Sequence, residues 1–301
     1  MRILITGGSG LLAVNWALCR RNTDEVWLGT HTRKISIPEV YTTPFELTSL
    51  GLITQTIKSI SPDVIIYAAA LTNIEECEND PATAFLVNSK YAGLTSKVAF
   101  EENVKFVYVS TDQVFNGKTP FNNETDLPEP VNVYGLSKLD GENIVKKEHP
   151  NALILRVNFF GWGPAYRQSL SDWILTSLAQ ARRITLYDNV IFNPLNVSEI
   201  IEAAHDLLSV GAEGIYNLAN SEAISKYDFG LKLADQFKLD RHHIAHGSYD
   251  SNNRVPRPLD MTLANNKFLN DFQGTSFSIK RSIAKLLEEY EKKKLLSSLG
   301  K

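Results

Sequence analysis

A tyrosine and a lysine four positions apart, Tyr134 and Lys138, are the side chains of this 301-residue sequence best suited to moving a proton. They share one face if the surrounding segment, Val133 to Val145, is helical, as its pattern predicts. A free phenol has a pKa of about 10, but a fixed ammonium nearby stabilises its phenolate and lowers that pKa. A hydroxyl from Ser110 or Thr111, at the end of the preceding apolar run, could hydrogen-bond the same substrate oxygen. These residues predict acid-base chemistry on an oxygen atom.

Because a Tyr-x-x-x-Lys spacing is common by chance, its meaning depends on the glycine-rich segment at the start of the chain. Arg2 to Ile5 has the composition of a strand, Thr6 to Gly10 that of a tight turn, and a helical pattern begins at Leu11. The backbone amides of such a turn and the positive end of the helix face one point, where a pyrophosphate can bind. We therefore predict a dinucleotide site whose pyrophosphate is held by Gly7, Gly8, Ser9, Gly10, Leu11 and Leu12.

Two further segments predict where the rest of the dinucleotide lies. The second predicted strand, Glu25 to Gly29, is followed by Arg33 and Lys34 rather than by an acidic residue. Because these cations can pair with a ribose 2′-phosphate, the sequence favours NADPH, with NADH as the alternative. Another predicted strand, Pro62 to Tyr67, runs into Ala68, Ala69 and Ala70, whose small side chains would let the cofactor pass over the backbone.

The alternation of predicted strands and helices up to Val157 is typical of an α/β fold, a doubly wound parallel sheet covered by helices on both sides. After Val157 the pattern changes to glycine-rich and aromatic segments with short strands. We predict a dinucleotide-binding domain over residues 1–157 and a smaller substrate lobe over 158–301. Two segments of that lobe, Ile184 to Tyr187 and Gly214 to Leu218, are expected to return to the sheet.

The composition argues against several other classes of protein. The formal net charge is −3, and Lys and Arg cluster only near the C-terminus, so we expect neither a nucleic-acid partner nor a membrane surface. No apolar run could span a bilayer, and the chain begins with a strand pattern, so we expect a cytoplasmic protein. His242, His243 and His246 lie close together but lack further ligands at motif spacing, so no metal site is assigned.

Six motifs along the chain resemble those of the extended short-chain dehydrogenase/reductases, and more narrowly the dTDP-4-dehydrorhamnose reductases. The motifs are Ile3-Leu-Ile-Thr-Gly-Gly-Ser-Gly10, Asp63-Val-Ile-Ile-Tyr-Ala-Ala-Ala70, Val87-Asn88, Ser110-Thr-Asp-Gln-Val-Phe115, Asn132-Val-Tyr-Gly-Leu-Ser-Lys138, and Arg257-Pro258 followed by Leu263 and Lys267. The chain departs from the family pattern at Ala13, Glu46 and Phe159, where a third glycine, an aspartate and a tryptophan are usual.

The resemblance implies a Rossmann-type fold, a nucleotide-sugar substrate and the catalytic residues Thr111, Tyr134 and Lys138. In the implied mechanism NADPH reduces a nucleotide-linked 4-keto-6-deoxy sugar, Tyr134 donates the proton, and Lys138 lowers the Tyr134 pKa while holding the nicotinamide ribose. Arg257 is the expected partner of the substrate diphosphate. The full set of expected substrate contacts is Thr72, Asp112, Asn158, Phe159, Asn193 and Arg257.

Two other functions fit the same motifs. One is an NAD-dependent sugar-nucleotide epimerase or dehydratase, although a dehydratase would be expected to carry glutamate where this chain has Gln113. The other is a non-catalytic regulatory subunit that binds NADP, resembling the β subunit of methionine adenosyltransferase. The residues leave open the nucleotide, the sugar and the oligomeric state, for which a homodimer is one option.

Overall fold

The computed structural model describes residues 1–250, 252, 254–273 and 277–299. Its strands form one large sheet and three small ones. The strands are β1 (Arg2–Ile5), β2 (Glu25–Thr30), β3 (Tyr41–Pro44), β4 (Val64–Tyr67), β5 (Lys105–Thr111), β6 (Leu153–Val157), β7 (Phe159–Phe160), β8 (Ile184–Tyr187), β9 (Ile191–Phe192), β10 (Leu195–Asn196), β11 (Gly214–Leu218), β12 (Ile224–Ser225) and β13 (Ile244–Gly247).

Helices connect these strands and cover the large sheet. They are α1 (Leu11–Arg20), α2 (Leu50–Ile60), α3 (Ile74–Asn79), α4 (Pro81–Phe85), α5 (Tyr91–Glu101), α6 (Val133–Glu148), α7 (Leu170–Ala179), α8 (Val197–Ser209), α9 (Lys226–Gln236), α10 (Asn266–Asp271), α11 (Ile279–Glu288) and α12 (Tyr290–Ser298). Within the described residues, no helix combines the length and the apolar character needed to cross a membrane.

The large sheet is parallel throughout, in the order β11-β6-β5-β4-β1-β2-β3. Both of its faces are buried: Ile3 and Ile5 pack into one apolar core, whereas Leu4 packs into a second core on the opposite face. Strands of this kind need apolar residues at successive positions, as β4 shows with Val64, Ile65 and Ile66. The predicted doubly wound α/β fold is confirmed.

The strand order places the ligand-binding edge of the sheet. Connections leave β1 and β4 in opposite directions along the sheet, so a crevice forms between the carboxyl ends of these two neighbouring strands. The glycine turn follows β1, the three alanines follow β4, and Thr111 ends β5. The fold therefore brings three of the predicted motifs to one edge.

The smaller lobe is held together by short strand pairs, and it corrects one prediction. Gly214–Leu218 does return to the large sheet, beside β6. Ile184–Tyr187 does not, because it pairs with Ile244–Gly247 in a separate two-stranded sheet. Its side chains alternate between buried and partly or fully exposed, which suits a ribbon with one face in solvent and not a strand covered on both faces. The division at residue 157 stays a proposal, and the ends of the predicted lobe at 300–301 lie outside the described residues.

Candidate active site

The glycine turn after β1 packs between the ends of the two neighbouring strands, β2 and β4. Gly7 has φ +64°, and a Cβ atom there would lie 2.8 Å from the Ala69 Cα atom. The Gly7 carbonyl accepts a hydrogen bond from the Gly10 amide at 2.7 Å, and the Gly8 amide donates to the Gly29 carbonyl at 2.9 Å. Glycine is therefore required at Gly7 both by its left-handed backbone and by the space available.

The first turn of α1 presents its amides to a large cavity. Gly10 is the N-cap, no described side chain caps the helix, and its first turn carries no acidic residue. The uncapped amides and the positive end of the helix dipole therefore attract an anion. The cavity has a volume of about 720 Å³ and is lined by every residue from Gly7 to Ala13. These features fit the pyrophosphate of a dinucleotide.

We expect Gly7→Ala to damage this turn. The added Cβ atom is strained by the left-handed backbone at this position and lies too close to Ala69. The substitution should therefore lower the free energy of unfolding by about 1–3 kcal/mol. Displacement of the turn should also weaken dinucleotide binding, about tenfold for each 1.4 kcal/mol of interaction lost. Thermal unfolding and fluorescence titration with NADPH measure the two effects. Gly51→Ala is the matched control, because a Cβ atom at Gly51 in α2 meets nothing within 4 Å; equal behaviour of the two variants would contradict this account.

Thr6 joins the ends of β1 and β4 and was not predicted from the sequence. Its fully buried hydroxyl oxygen accepts hydrogen bonds from the amides of Ala68 and Ala69, each at 3.1 Å. This contact fixes the alanine segment beside the glycine turn, and Ala68, Ala69 and Ala70 all line the cavity. The available signal was a hydroxyl residue at the end of an otherwise apolar strand.

A π-helical turn, Leu86–Lys90, interrupts the long helix that the sequence predicts between Pro81 and Glu102. Inside it, the Asn88 amide donates to the Leu71 carbonyl at 3.0 Å and accepts from the Leu71 N–H at 2.8 Å. The same amide donates to the Ser137 hydroxyl at 2.9 Å, on α6. Single π turns often occur at functional sites. Here the turn links the segment after β4 to the helix that carries Tyr134.

The adenosine end of the cavity differs from the sequence-based prediction. His31 and Thr32 line the cavity beyond β2, whereas Arg33 and Lys34 do not. Both cations are exposed, and the Arg33 guanidinium lies 4.0 Å from the centre of the Tyr166 ring. The residues that line the cavity in this segment are therefore the two that precede the predicted cations, Arg33 and Lys34.

The predicted catalytic residues come together at the middle of the same cavity. Thr111 ends β5, and Tyr134 and Lys138 stand on the first turns of α6, which Asn132 caps by accepting the Gly135 amide. All three side chains are buried. The Thr111 hydroxyl is close enough to the Tyr134 phenol to influence its pKa. The elements that present them are β5 and α6, as the sequence predicts.

The electrostatics of the pair differ from the sequence-based expectation. Burial raises the pKa of Tyr134 well above its ordinary value, and the neighbouring Thr111 hydroxyl opposes this only in part. Burial also lowers the pKa of Lys138 to about 7, although the Glu142 carboxylate favours its charged form. The Lys138 ammonium donates to the Val109 carbonyl at 2.7 Å and lies 4.0 Å from the centre of the Tyr108 ring. The predicted lowering of the Tyr134 pKa by Lys138 is corrected, because the ammonium is directed to these groups.

Asp112 extends the polar chain beyond Thr111. Its buried carboxylate accepts the Thr111 hydroxyl at 2.9 Å and a further hydrogen bond from the Asn158 amide. Burial raises the pKa of Asp112 to about 6, whereas the Asn158 and Thr111 hydrogen bonds and the charge of Lys226 lower it. Since Thr111 has one hydroxyl proton and gives it to Asp112, its lone pairs remain to accept the phenol or a substrate hydroxyl.

Lys226, at the start of α9, is the charged neighbour of Asp112 that the sequence did not reveal. Its ammonium lies 3.3 Å from the centre of the Phe192 ring, and the side chain is half-buried. Burial lowers its pKa to about 7, the charge of Asp112 raises it, and Arg257 lowers it further. No local motif distinguishes this lysine from the solvated ones.

We expect the activity to fall as pH drops below about 6, because protonated Asp112 can no longer accept both hydrogen bonds. Lys226→Met removes a charge that lowers the Asp112 pKa, so the acid limb of kcat/KM should move to higher pH. Lys226→Arg keeps the charge and should leave the limb in place. Profiles of kcat/KM against pH test this, and an unmoved limb in the methionine variant would show that Asp112 does not govern it.

A buried ion pair contacts the end of β5, the strand that carries Ser110 and Thr111. Arg156 on β6 binds Glu142 on α6 through two hydrogen bonds of 2.9 and 2.8 Å, and both side chains are almost fully buried. The Ser110 hydroxyl donates to the same carboxylate at 2.6 Å. Because Ser110 precedes Thr111, the ion pair joins α6 and β6 to the strand end that carries the Thr111 hydroxyl.

Three of the predicted substrate residues besides Asp112 line the cavity, namely Thr72, Asn158 and Phe159. Two others lie elsewhere. Asn193 is fully buried, donates to the carbonyls of Asn220 and Leu263 and accepts the Leu263 amide, so it supports the lobe. The exposed Arg257 pairs with Glu75 outside the cavity wall. Neither side chain lines the cavity, and direct substrate contacts by Asn193 and Arg257 stay predictions.

Comparisons with known proteins agree with this architecture. The chain is 28% identical to the probable low-salt glycan biosynthesis reductase Agl14 of Haloferax volcanii, over 78% of this chain and 80% of that protein. It is 26% identical to the methionine adenosyltransferase 2 subunit beta of Pongo abelii, over 81% of this chain and 74% of that protein. The crystal structure of dTDP-4-dehydrorhamnose reductase from Bacillus anthracis in complex with NADP has the same fold, with a TM-score of 0.81 and 23% identity over 96% of this chain and 99% of that chain.

The family model described as the RmlD substrate binding domain matches residues 1–292, nearly the whole chain. The match includes both the glycine turn at Gly7 and the later lobe that contains Lys226. The chain therefore belongs to the RmlD substrate binding domain family, which confirms the resemblance predicted from its motifs.

Proposed function

We propose that this protein is an NADPH-dependent reductase of a nucleotide-linked 4-keto-6-deoxy sugar. The observation that carries the proposal is that one cavity is lined both by the glycine turn and by Thr111 and Tyr134. An anion-binding turn and a protonated phenol within one cavity are what reduction of a carbonyl group by a dinucleotide needs. The names of the related reductases point to sugars as the substrates.

The dinucleotide fits the residues present. Gly7 to Leu12 would hold its pyrophosphate, Ala68 to Ala70 would lie under it, and Lys138 would hold the nicotinamide ribose. When bound, NADPH supplies the hydride. NADH is the alternative cofactor, since neither Arg33 nor Lys34 lines the cavity.

The protein's own residues handle the substrate oxygen. Tyr134, which is protonated at neutral pH, donates its proton to the alkoxide that forms as the carbonyl is reduced. Asp112 accepts the Thr111 hydroxyl proton, so in this arrangement Thr111 can accept a hydrogen bond from a substrate hydroxyl but cannot donate one to the carbonyl oxygen. Asn158 fixes Asp112 in turn. Thr111, Asp112 and Tyr134 are buried, and the lower effective dielectric of a buried position strengthens polar contacts.

A regulatory subunit is the second candidate, favoured by the match to methionine adenosyltransferase 2 subunit beta. A protein of this kind would keep the nucleotide site without using Tyr134. A dehydratase is less well supported, because Gln113 follows Asp112 in the short 3₁₀ turn after β5 and cannot remove a proton as a carboxylate would.

The deciding experiment follows the absorbance of NADPH with purified protein and a set of nucleotide-linked 4-keto-6-deoxy sugars. We expect oxidation of NADPH with at least one of them. NADPH binding without oxidation, across dTDP-, UDP- and GDP-linked sugars, would instead support the regulatory candidate. Failure to bind either dinucleotide would reject both candidates.

A further inference from the structure

A short segment of the substrate lobe crosses over the cofactor-binding loops. We define the crossing segment as Gly163–Ser169. The Tyr166 hydroxyl donates to the Ser9 carbonyl in the glycine turn at 2.9 Å. On the other side of the cavity, the Arg167 guanidinium donates to the Thr72 hydroxyl at 2.7 Å. The crossing segment therefore touches both loops that flank the cavity, one through each side chain.

The base of the crossing segment is fixed to the substrate lobe. The Gly163 amide donates to the Asp172 carboxylate at 2.6 Å, and Asp172 belongs to the capping box of α7 with Ser169. A Cβ atom on Gly163 would lie 3.1 Å from the Leu11 side chain, at the start of α1. The segment is thus held close to the end of α1 that faces the cavity.

Tyr166 also contacts Arg33, a cation in the segment after β2. The Arg33 guanidinium lies 4.0 Å from the centre of its ring, within the range of a cation–π interaction. Arg33 directly follows His31 and Thr32, which line the cavity, so its backbone lies beside the cavity lining although its side chain is not part of it. The neighbouring Lys34 is exposed and is not among the residues that line the cavity.

The adenosine ribose binds near the carboxyl end of the second strand in folds of this type. Arg33 lies in that region because β2 ends at Thr30. An exposed arginine samples many rotamers, and binding an anion requires that it give them up. A ring that already holds the guanidinium in one place reduces this loss. The benefit applies to a dinucleotide with a 2′-phosphate and not to one without it.

We propose that Tyr166 is a specificity-determining residue, which holds Arg33 at the 2′-ribose end of the cavity and so makes the preference for NADPH over NADH depend on the substrate lobe. This inference rests on the proposed use of a dinucleotide. It assigns separate parts to the two ends of Tyr166: the ring positions Arg33, and the hydroxyl fastens the crossing segment to Ser9.

The test is equilibrium binding, measured by fluorescence titration of the purified protein with NADPH and with NADH. Arg33→Ala should weaken NADPH binding about tenfold with little effect on NADH, as expected for loss of one phosphate contact. Tyr166→Ala should reduce the NADPH/NADH affinity ratio by about two- to fivefold, the range of an exposed cation–π contact. Tyr166→Phe should keep the ratio and weaken both dinucleotides equally. The double variant Arg33→Ala/Tyr166→Ala should have the same ratio as Arg33→Ala alone.

Lys34→Ala is the matched charge control and should change the ratio less than Arg33→Ala does. Equal weakening of NADPH and NADH binding by Tyr166→Ala would overturn the inference. So would a double variant whose NADPH/NADH affinity ratio falls by the product of the two single-variant changes. A wild-type protein that binds NADPH and NADH equally would also overturn it. Binding of neither dinucleotide by the wild-type protein would be a failure of the proposed function itself.

Discussion

Replacing Tyr134 with phenylalanine should lower kcat and kcat/KM of the proposed reduction by about 10²–10⁴-fold, the usual contribution of a positioned acid. The phenyl ring keeps its place among Ile74, Cys77 and Ala84, so the fold and the NADPH affinity should change little. Both kinetic constants should fall together, because the lost interaction acts only in the transition state. Steady-state kinetics and NADPH titration of the same preparation measure the two effects.

Tyr290→Phe is the control for this variant, because Tyr290 is exposed on α12, outside the cavity wall. Its turnover should match that of the wild-type protein. If Tyr134→Phe retained more than about a tenth of the wild-type kcat, Tyr134 would not be the proton donor. Tyr134 is protonated at neutral pH, both at the ordinary pKa of a phenol, about 10, and at the raised pKa that burial gives it, as a proton donor must be.

Breaking the buried ion pair should have the largest effect on stability. Glu142→Leu leaves the Arg156 guanidinium buried without its carboxylate, and we expect the free energy of unfolding to fall by about 3–5 kcal/mol. Arg156→Met should lower the free energy of unfolding by a similar amount, because it leaves the buried Glu142 carboxylate without its cation. Urea-induced unfolding, with the slope checked for two-state behaviour, measures these changes. The Ser110 hydroxyl also loses its partner in Glu142→Leu, so Thr111 should be held less firmly.

The double variant Glu142→Leu/Arg156→Met separates the cost of an unpaired charge from the value of the pair. Replacing both partners by apolar groups should recover most of the lost stability. Glu102→Gln breaks an exposed ion pair with Lys58 and should cost only about 0–1 kcal/mol. Additive losses in the double variant would show that the two residues stabilise the fold independently.

The fold was predictable because its strands follow simple physical rules. A strand that is covered on both faces needs consecutive apolar residues, and Val64 to Tyr67 has that pattern. Tyr41–Pro44 escaped prediction because this edge strand is mostly exposed and ends in proline, so neither apolar periodicity nor propensity marks it. The π turn at Leu86–Lys90 was also missed, since one extra residue in a helix barely disturbs its apolar pattern.

The site was predictable where its chemistry lies in short motifs and unpredictable where it depends on distant contacts. Tyr134 and Lys138 are four positions apart on one helix, whereas Tyr166 meets Ser9 across 157 positions. Asn193 shows a second difficulty. The sequence predicts that this polar residue contacts a ligand, but its side-chain amide donates hydrogen bonds to backbone carbonyls of the lobe. Sequence alone does not reveal which partner an amide will choose.

The transfer of deuterium from NADPH labelled at the nicotinamide C4 position shows whether this protein reduces a sugar at its keto carbon. Mass spectrometry of the product sugar, from wild-type protein and from Tyr134→Phe in parallel, follows the label. The account predicts one deuterium at the former keto carbon with the wild-type protein, and a rate of labelling lowered by about 10²–10⁴-fold in the variant. An unlabelled sugar recovered from protein that binds NADPH would contradict it.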